Sequence, residues 1–168
     1  MNPTRFAVLF LILFGPGDLL VADLFSYGDR EPASEHHARF GGKECRILVY
    51  GPTGGSYVAG TYDDPNGELR ISVDRFSYLE LTGRARKVVV TLVDRKSNVN
   101  LVNLAVGDGG IEIHSVSGRS KVETGRSVGP VILKSVEASS ISVQRETHVK
   151  GRDRIRDGGK LFVEDTTK

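Results

Sequence analysis

The chain has 168 residues, of which 39% are hydrophobic and 26% are charged, and its formal net charge at pH 7 is +2. A charged fraction of this size is ordinary for a folded domain, so the composition excludes wholesale disorder. The small excess of Lys and Arg over Asp and Glu excludes nucleic-acid binding that is driven by bulk charge. The length predicts a single domain.

The first 22 residues have the three-part pattern of a secretory signal peptide. Arg5 provides a positive charge, residues 6–14 are all apolar, and Ala22 offers a small residue at a cleavage point. The apolar run is shorter than the ~20 residues that span a bilayer, although a buried core helix stays open as an alternative. The sequence predicts a signal peptide over residues 1–22, a secreted or periplasmic protein, and no transmembrane segment after cleavage.

Residues 23–43 lack a strong period, contain Pro32 and end in a Gly41-Gly42 pair, so they are interpreted as a flexible leader. Cys45 is the only cysteine, which excludes an internal disulfide and favours a bacterial exported protein. We interpret Cys45 as a small buried hydrophobe at the start of a strand.

From residue 44 onward, short β-branched runs alternate with Gly, Asn, Asp and Ser clusters, which is typical of strands and turns. Strong runs start at residues 45, 69, 88, 111 and 131, and a weaker run follows each of them. The tripeptide Thr82-Gly83-Arg84 returns as Thr124-Gly125-Arg126, 42 residues later, which corresponds to two repeats of ~21 residues. A fixed period of this length predicts an all-β fold, a short right-handed parallel β-helix of about five ~21-residue units. This domain would span residues 44–168 and end in a charged C-terminal cap.

An antiparallel β-sandwich is the alternative, since it also has short strands at regular spacing. The solenoid differs from the sandwich in predicting one inner column of stacked apolar side chains. Alternating side chains would place these residues inside: Ile71, Val90, Ile113 and Leu133. The same alternation would place these residues outside: Arg70, Ser72, Glu112, His114 and Lys134.

Two segments, residues 111–118 (IEIHSVSG) and residues 131–136 (VILKSV), resemble the strand-Ser-Val-Ser-Gly units of bacterial putative adhesin β-repeat domains. Those domains resemble pectin-lyase-like β-helices in architecture. The resemblance covers about residues 69–143 and implies a surface or envelope role. Arg119 stands where the family usually has an acidic residue after the Gly.

Motifs for familiar chemistry are not evident in the sequence. It contains no Gly-x-Ser-x-Gly elbow, and residues 50–56 are rich in glycine without the Lys-Ser/Thr of a phosphate loop. Residues 63–67 (DDPNG) fit a tight turn better than a calcium loop. His36-His37 beside Glu35 is a weak metal cluster that we interpret as a solvated linker. We expect no metal and no cofactor.

Basic residues cluster near the C-terminus, interrupted by Asp153 and Asp157 and without aromatic neighbours. We interpret them as a solvated cap, with contact to an anionic polymer as the functional alternative and nucleic acid excluded. The candidate contact residues are Arg152, Arg154, Arg156 and Lys160. A second basic group is formed by Arg84, Arg86 and Lys87.

The sequence thus predicts an exported non-enzymatic structural or binding module of the cell envelope or extracellular space, whose partner would be a glycan or an envelope component. The alternative is a carbohydrate-active enzyme on a β-helix scaffold, which would need carboxylates that converge in one cleft. Its candidate carboxylates are Asp74, Glu80, Asp94, Glu112 and Glu123.

Overall fold

The computed structural model describes residues 8–11, 21–24, 37–50 and 55–164. Within these ranges the regular elements are fifteen β-strands and one 3-10 turn, η1 (Arg152–Arg154). No helix in these ranges is long and apolar enough to span a membrane. The strands are β1 (Val8–Leu11), β2 (Val21–Leu24), β3 (His37–Phe40), β4 (Glu44–Tyr50), β5 (Tyr57–Asp74), β6 (Tyr78–Val93), β7 (Asn98–Leu101), β8 (Leu104–Ile113), β9 (Lys121–Thr124), β10 (Val131–Leu133), β11 (Val136–Glu137), β12 (Ser140–Gln144), β13 (Val149–Lys150), β14 (Ile155–Arg156) and β15 (Lys160–Glu164).

From β3 onward the paired strands run parallel, and the chain winds into a right-handed β-solenoid of about 6 turns. The predicted parallel β-helix is therefore confirmed, and the antiparallel sandwich is wrong. Among the described residues, only β1 and β2 pair in the antiparallel sense. Two long sheets follow the solenoid axis. Sheet A consists of β3, the first parts of β5 and β6, and β7, β9, β12 and β15; sheet B consists of β4, the last parts of β5, β6 and β8, and β10 and β13.

The predicted inner column lies on sheet B. Ile71 is paired with Val90, Val90 with Ile113, and Ile113 with Leu133, and none of these side chains is more than 2% exposed. The residues one position before Ile71, Ile113 and Leu133 are less buried, because side chains alternate along a strand. The column forms because a single coil cannot bury its own apolar face, whereas stacked coils bury theirs against each other.

The solenoid begins earlier than the predicted boundary at residue 44. Strand β3 lies inside the segment predicted as a flexible leader, yet it pairs in parallel with β5 and buries Phe40 in the core. Strands β3 and β4 together add a coil at the N-terminal end. Four residues with no clear alternation are too few to predict a strand from sequence alone.

The predicted turn at residues 63–67 is a bulge inside β5. The register with β6 shifts between Asp64 and Glu68, and the Asn66 N–H donates to Asp64 Oδ1 at 2.9 Å. A Cβ on Gly67 would lie only 1.9 Å from the hydroxyl of Tyr62, whose ring is fully buried. Glycine is required here because the Tyr62 side chain occupies the space beside it.

A recurring turn leads two successive coils into sheet A. Arg75 and Phe76 both have positive φ and precede a buried serine, Ser77; Arg95 and Lys96 repeat this pattern before Ser97. The turns stack on one another, since the Phe76 N–H donates to the Arg95 carbonyl at 3.0 Å.

The serines after these turns form an internal ladder. In each of the first four, the backbone N–H donates to the hydroxyl oxygen of the serine one coil later, over 3.1 to 3.2 Å. A backbone N–H that is removed from water needs such a partner. The ladder consists of Ser56, Ser77, Ser97, Ser120 and Ser139, which are at most 6% exposed.

Candidate functional site

Two stacked tyrosines lie on the outward surface of sheet A. Tyr57 of β5 is paired with Tyr78 of β6, and each follows an inward-pointing serine of the ladder, so both rings point outward. Their centroids are 5.1 Å apart and their planes differ by 10°. Tyr57 is 40% exposed. The parallel register thus builds an aromatic strip across two successive coils.

Both tyrosine hydroxyls are hydrogen-bonded to the next outward column. Tyr57 Oη donates to Glu80 Oε2 at 3.2 Å, and Asn100 Nδ2 donates to Tyr78 Oη at 3.2 Å. Partial burial and the charge of Glu80 raise the pKa of the Tyr57 phenol, which favours its protonated, donating form. Because Tyr78 Oη accepts a hydrogen bond from Asn100, its own proton can serve a further acceptor.

Phe76 lies in the turn just before Tyr78 and is 59% exposed. Its φ of 62° lies in the left-handed region, where a bulky side chain costs on the order of 1 kcal/mol. Lys96, at the same position one coil later, places its Nζ 5.9 Å from the Phe76 ring centroid. Phe76 and Tyr78 are two positions apart in the sequence, with Phe76 in the turn and Tyr78 at the start of β6.

We call Tyr57, Phe76 and Tyr78, together with Glu80 and Asn100, the aromatic patch. It combines three exposed or half-exposed rings with a carboxylate and an amide, all on neighbouring coils. Phenol, amide and carboxylate groups offer both donors and acceptors close to the rings.

The carboxylates that were candidates for an enzyme are distributed over three surfaces. Glu80 and Glu123 share one outward column of sheet A, with Asn100 between them. Glu112 lies on sheet B, where its neighbour in β6 is Val89. Asp74 ends β5, and Asp94 follows β6 at the corresponding turn.

Each of these carboxylates contacts a neighbouring donor. Glu123 accepts from Lys121 Nζ at 2.7 Å, and Asp94 accepts from the Ser117 hydroxyl at 2.8 Å. Asp74 accepts from the Arg75 N–H at 2.7 Å. The guanidinium of Arg95 lies between the two aspartates, with Nε 3.8 Å from an oxygen of Asp74 and 3.9 Å from one of Asp94.

Glu112 is held by two partners on sheet B. Lys87 Nζ lies 2.7 Å from Glu112 Oε1, and His114 Nε2 lies 3.3 Å from Oε2. Hydrogen bonds from Lys87 and then from His114 lower the pKa of the Glu112 carboxyl, outweighing the opposite effect of its partial burial. A carboxylate with a lowered pKa is suited to an ion pair and poorly suited to proton donation at neutral pH.

The basic residues that were predicted near the C-terminus occupy the last described coil. Arg152 and Arg154 lie in η1, Arg156 ends β14 and Lys160 begins β15, and all four are exposed. We call these four residues the basic tail. Arg154 Nε lies 3.4 Å from Asp153 Oδ2, and both side chains are more than half exposed. Several coils separate the basic tail from the aromatic patch.

In the second basic group, Arg84 and Lys87 each form an ion pair with a different carboxylate. Arg84 Nε donates to Asp63 Oδ1 at 2.7 Å, and this contact lowers the pKa of the Asp63 carboxyl. Lys87 is paired with Glu112 on sheet B, and Arg86, which lies between Arg84 and Lys87 in the sequence, is exposed.

Cys45 is fully buried, as predicted, and burial raises the pKa of its thiol to about 11. Among the described residues, no three His, Cys, Asp or Glu side chains are grouped closely enough to hold a metal ion. His36 and the loop at residues 51–54 lie outside the described residues, as does most of the predicted signal peptide.

Comparison with known proteins gives no relative for this chain. No protein family, no curated protein and no solved structure matches it.

Sequence reasoning missed both the serine ladder and the aromatic patch. One signal was present: the dipeptide Ser-Tyr occurs at residues 56–57 and again at residues 77–78, 21 positions later. In a solenoid with a ~21-residue unit, this repeat places two serines inside and two tyrosines outside on adjacent coils.

Proposed function

We propose that the chain is an exported, non-enzymatic structural or binding module of the cell envelope or extracellular space. The apolar run at residues 6–14 supports export. The resemblance of residues 69–143 to bacterial putative adhesin β-repeats supports a surface or envelope role. The parallel solenoid supports a binding role, since its outward columns form a long surface for a partner.

The pairing of the outward carboxylates is the observation that best supports a non-enzymatic protein. Glu80, Glu112 and Glu123 each share a hydrogen bond or ion pair with a neighbouring side chain. Asp74 and Asp94 lie close together, but the guanidinium of Arg95 is between them. General acid catalysis requires instead a carboxyl whose pKa is raised by burial or by a like charge. The pairing of the outward carboxylates with neighbouring side chains therefore favours a binding surface over a catalytic site.

Glycoside hydrolysis is the second candidate, and one geometric observation favours it. Glu80 and Glu123 are two strand spacings apart in one column, which puts their backbones roughly 10 Å apart. Carboxyl groups on backbones this far apart are within reach of the ~6.5–9.5 Å separation between the carboxyl groups of inverting glycosidases. Asn100 fills the intervening position and bonds to Tyr78.

The release of reducing ends from soluble polysaccharides separates the two candidates. We expect the purified protein to release none above buffer. The proposal fails if the wild type releases reducing ends and if both Glu80→Gln and Glu123→Gln abolish the release. Glu112→Gln on sheet B is the matched control, and it should then keep the activity.

A further inference from the structure

We propose that the aromatic patch binds a linear neutral glycan along the axis of the solenoid. The inference rests on the proposed function, because it assumes that the module acts by binding. It adds the chemical class of the partner and the surface that recognises it.

The chemistry of the patch matches that of a sugar. Ligand sites combine apolar or aromatic surface with a few placed polar groups. Here the rings of Tyr57, Phe76 and Tyr78 provide the aromatic surface, and Glu80 and Asn100 stand beside them as acceptor and donor. A sugar ring offers apolar C–H faces and a rim of hydroxyls that both donate and accept.

The local charge favours a neutral partner. Glu80 carries a negative charge and Lys96 beside Phe76 carries a positive one. In the turns around Phe76, the charges of Arg75 and Arg95 are offset by those of Asp74 and Asp94. The charges at and beside the patch therefore balance, so the patch attracts neither anionic nor cationic polymers strongly. The basic tail, where cations are most concentrated, lies several coils away, and Asp153 and Asp157 weaken its field.

The shape favours a chain over a single sugar. The patch lies on a sheet surface and can cover only one side of a ligand, so a monosaccharide would stay largely in water. The same columns continue over the next coil as Asn98 and Asn100, in register with Tyr78 and Glu80. A polymer that follows the axis meets a repeated set of polar groups at each coil.

Phe76 provides an independent reason to look for a ligand here. An exposed phenylalanine with φ of 62° is unfavourable in the free protein, both in its backbone and in its exposure to water. Lys96 and Arg119 also have positive φ, but their side chains are charged and well solvated. A ligand that covers the Phe76 ring would explain why this coil has an aromatic residue.

Affinity electrophoresis tests the inference. The full chain is run through gels that contain soluble xyloglucan, galactomannan, mixed-linkage β-glucan or dextran as neutral probes, and polygalacturonate as the anionic probe. We expect at least one neutral probe to retard the wild type. Tyr78→Ala and Phe76→Gly should each weaken that retardation about tenfold or more. Leu48→Ala, which removes an exposed apolar side chain from the outward side of sheet B, should leave it unchanged.

Thermal unfolding of the same variants separates binding from folding. Glycine tolerates positive φ, so we expect Phe76→Gly to keep or raise the melting temperature while it weakens binding. The inference is overturned if no neutral probe retards the wild type, if only polygalacturonate does so, or if the Phe76 and Tyr78 variants bind as the wild type does. Reducing-end release from a bound probe would instead refute the non-enzymatic proposal and leave the binding surface standing.

Discussion

Each serine of the internal ladder after the first supplies a partner for a backbone N–H that the corner of the solenoid removes from water. The Ser77 N–H donates to Ser97 Oγ, and the Ser97 N–H donates in turn to Ser120 Oγ. The ladder ends at Ser139, because the next coil has Gly159 at this position and no hydroxyl. Short polar side chains are therefore part of the core, although the sequence pattern alone suggests polar turns.

Replacing Ser97 by alanine tests the ladder at the level of one atom. The change removes the acceptor of the Ser77 N–H and leaves that group buried without a partner, which should cost about 1–3 kcal/mol of unfolding free energy. Ser140→Ala, on the outward side of β12, should cost less than about 0.5 kcal/mol. Urea denaturation of both variants measures the difference. Equal losses at the two positions would contradict a structural role for the Ser97 hydroxyl.

At the scale of strands, the columns could be predicted far better than the corners. Ile71 and Ile113 follow from the ~21-residue spacing and from alternation, both of which can be counted. The corners require positive φ at Arg75 and Phe76, residues that rarely adopt it, and the conformation is held by hydrogen bonds to the next coil. Such contacts between coils cannot be counted from sequence, so the turns and the serines after them were not predicted.

The inner column of sheet B predicts that substitutions at inward strand positions lower the stability more than substitutions at outward positions. Ile113 is fully buried, and Ile113→Asp would place a carboxylate there without a partner, at a cost of several kcal/mol. Ser72 lies on the outward side of β5, so Ser72→Asp should cost less than about 0.5 kcal/mol. Chemical denaturation gives both values. A similar cost at the two positions would contradict the inward and outward assignment.

The basic tail of the last coil predicts a weak electrostatic field. Asp153 and Asp157 alternate with Arg152, Arg154 and Arg156, and Arg154 is already close to Asp153. We expect wild type and a triple variant with these three arginines changed to glutamine to elute together from an anionic polysaccharide column. If the tail did bind the polymer, removing each cation would weaken binding by up to ~1 kcal/mol at low salt. Earlier elution of the variant that disappears as salt rises would therefore establish polymer contact.

At the scale of the whole molecule, the fold class could be predicted, whereas the candidate surface could not. Glu80 and Glu123 were recognised as candidates by residue type, but their shared column depends on the length of every coil between them. Coil lengths vary because bulges such as the one at residues 63–67 absorb extra residues. The contact between Tyr57 and Tyr78 also depends on coil length, because only the register of β5 on β6 brings their rings together.

Binding and catalysis would use the surface of the solenoid in different ways. Binding along the solenoid axis uses many shallow contacts, so its strength should depend on the number of coils engaged. Catalysis would depend on two or three groups converging at one place. The dispersed, paired carboxylates and the aromatic patch are therefore consistent with one role, in which the solenoid presents a surface to an external partner.

Export is the central claim of the proposed function, and the N-terminus of the protein isolated from its host tests it most directly. The protein is collected from the culture medium, the periplasmic fraction and the cytosol, and its N-terminus is determined in each. We predict that the mature chain is secreted or periplasmic and begins near Asp23, after removal of residues 1–22. A cytosolic protein that retains Met1 and the apolar run of residues 6–14 would contradict export.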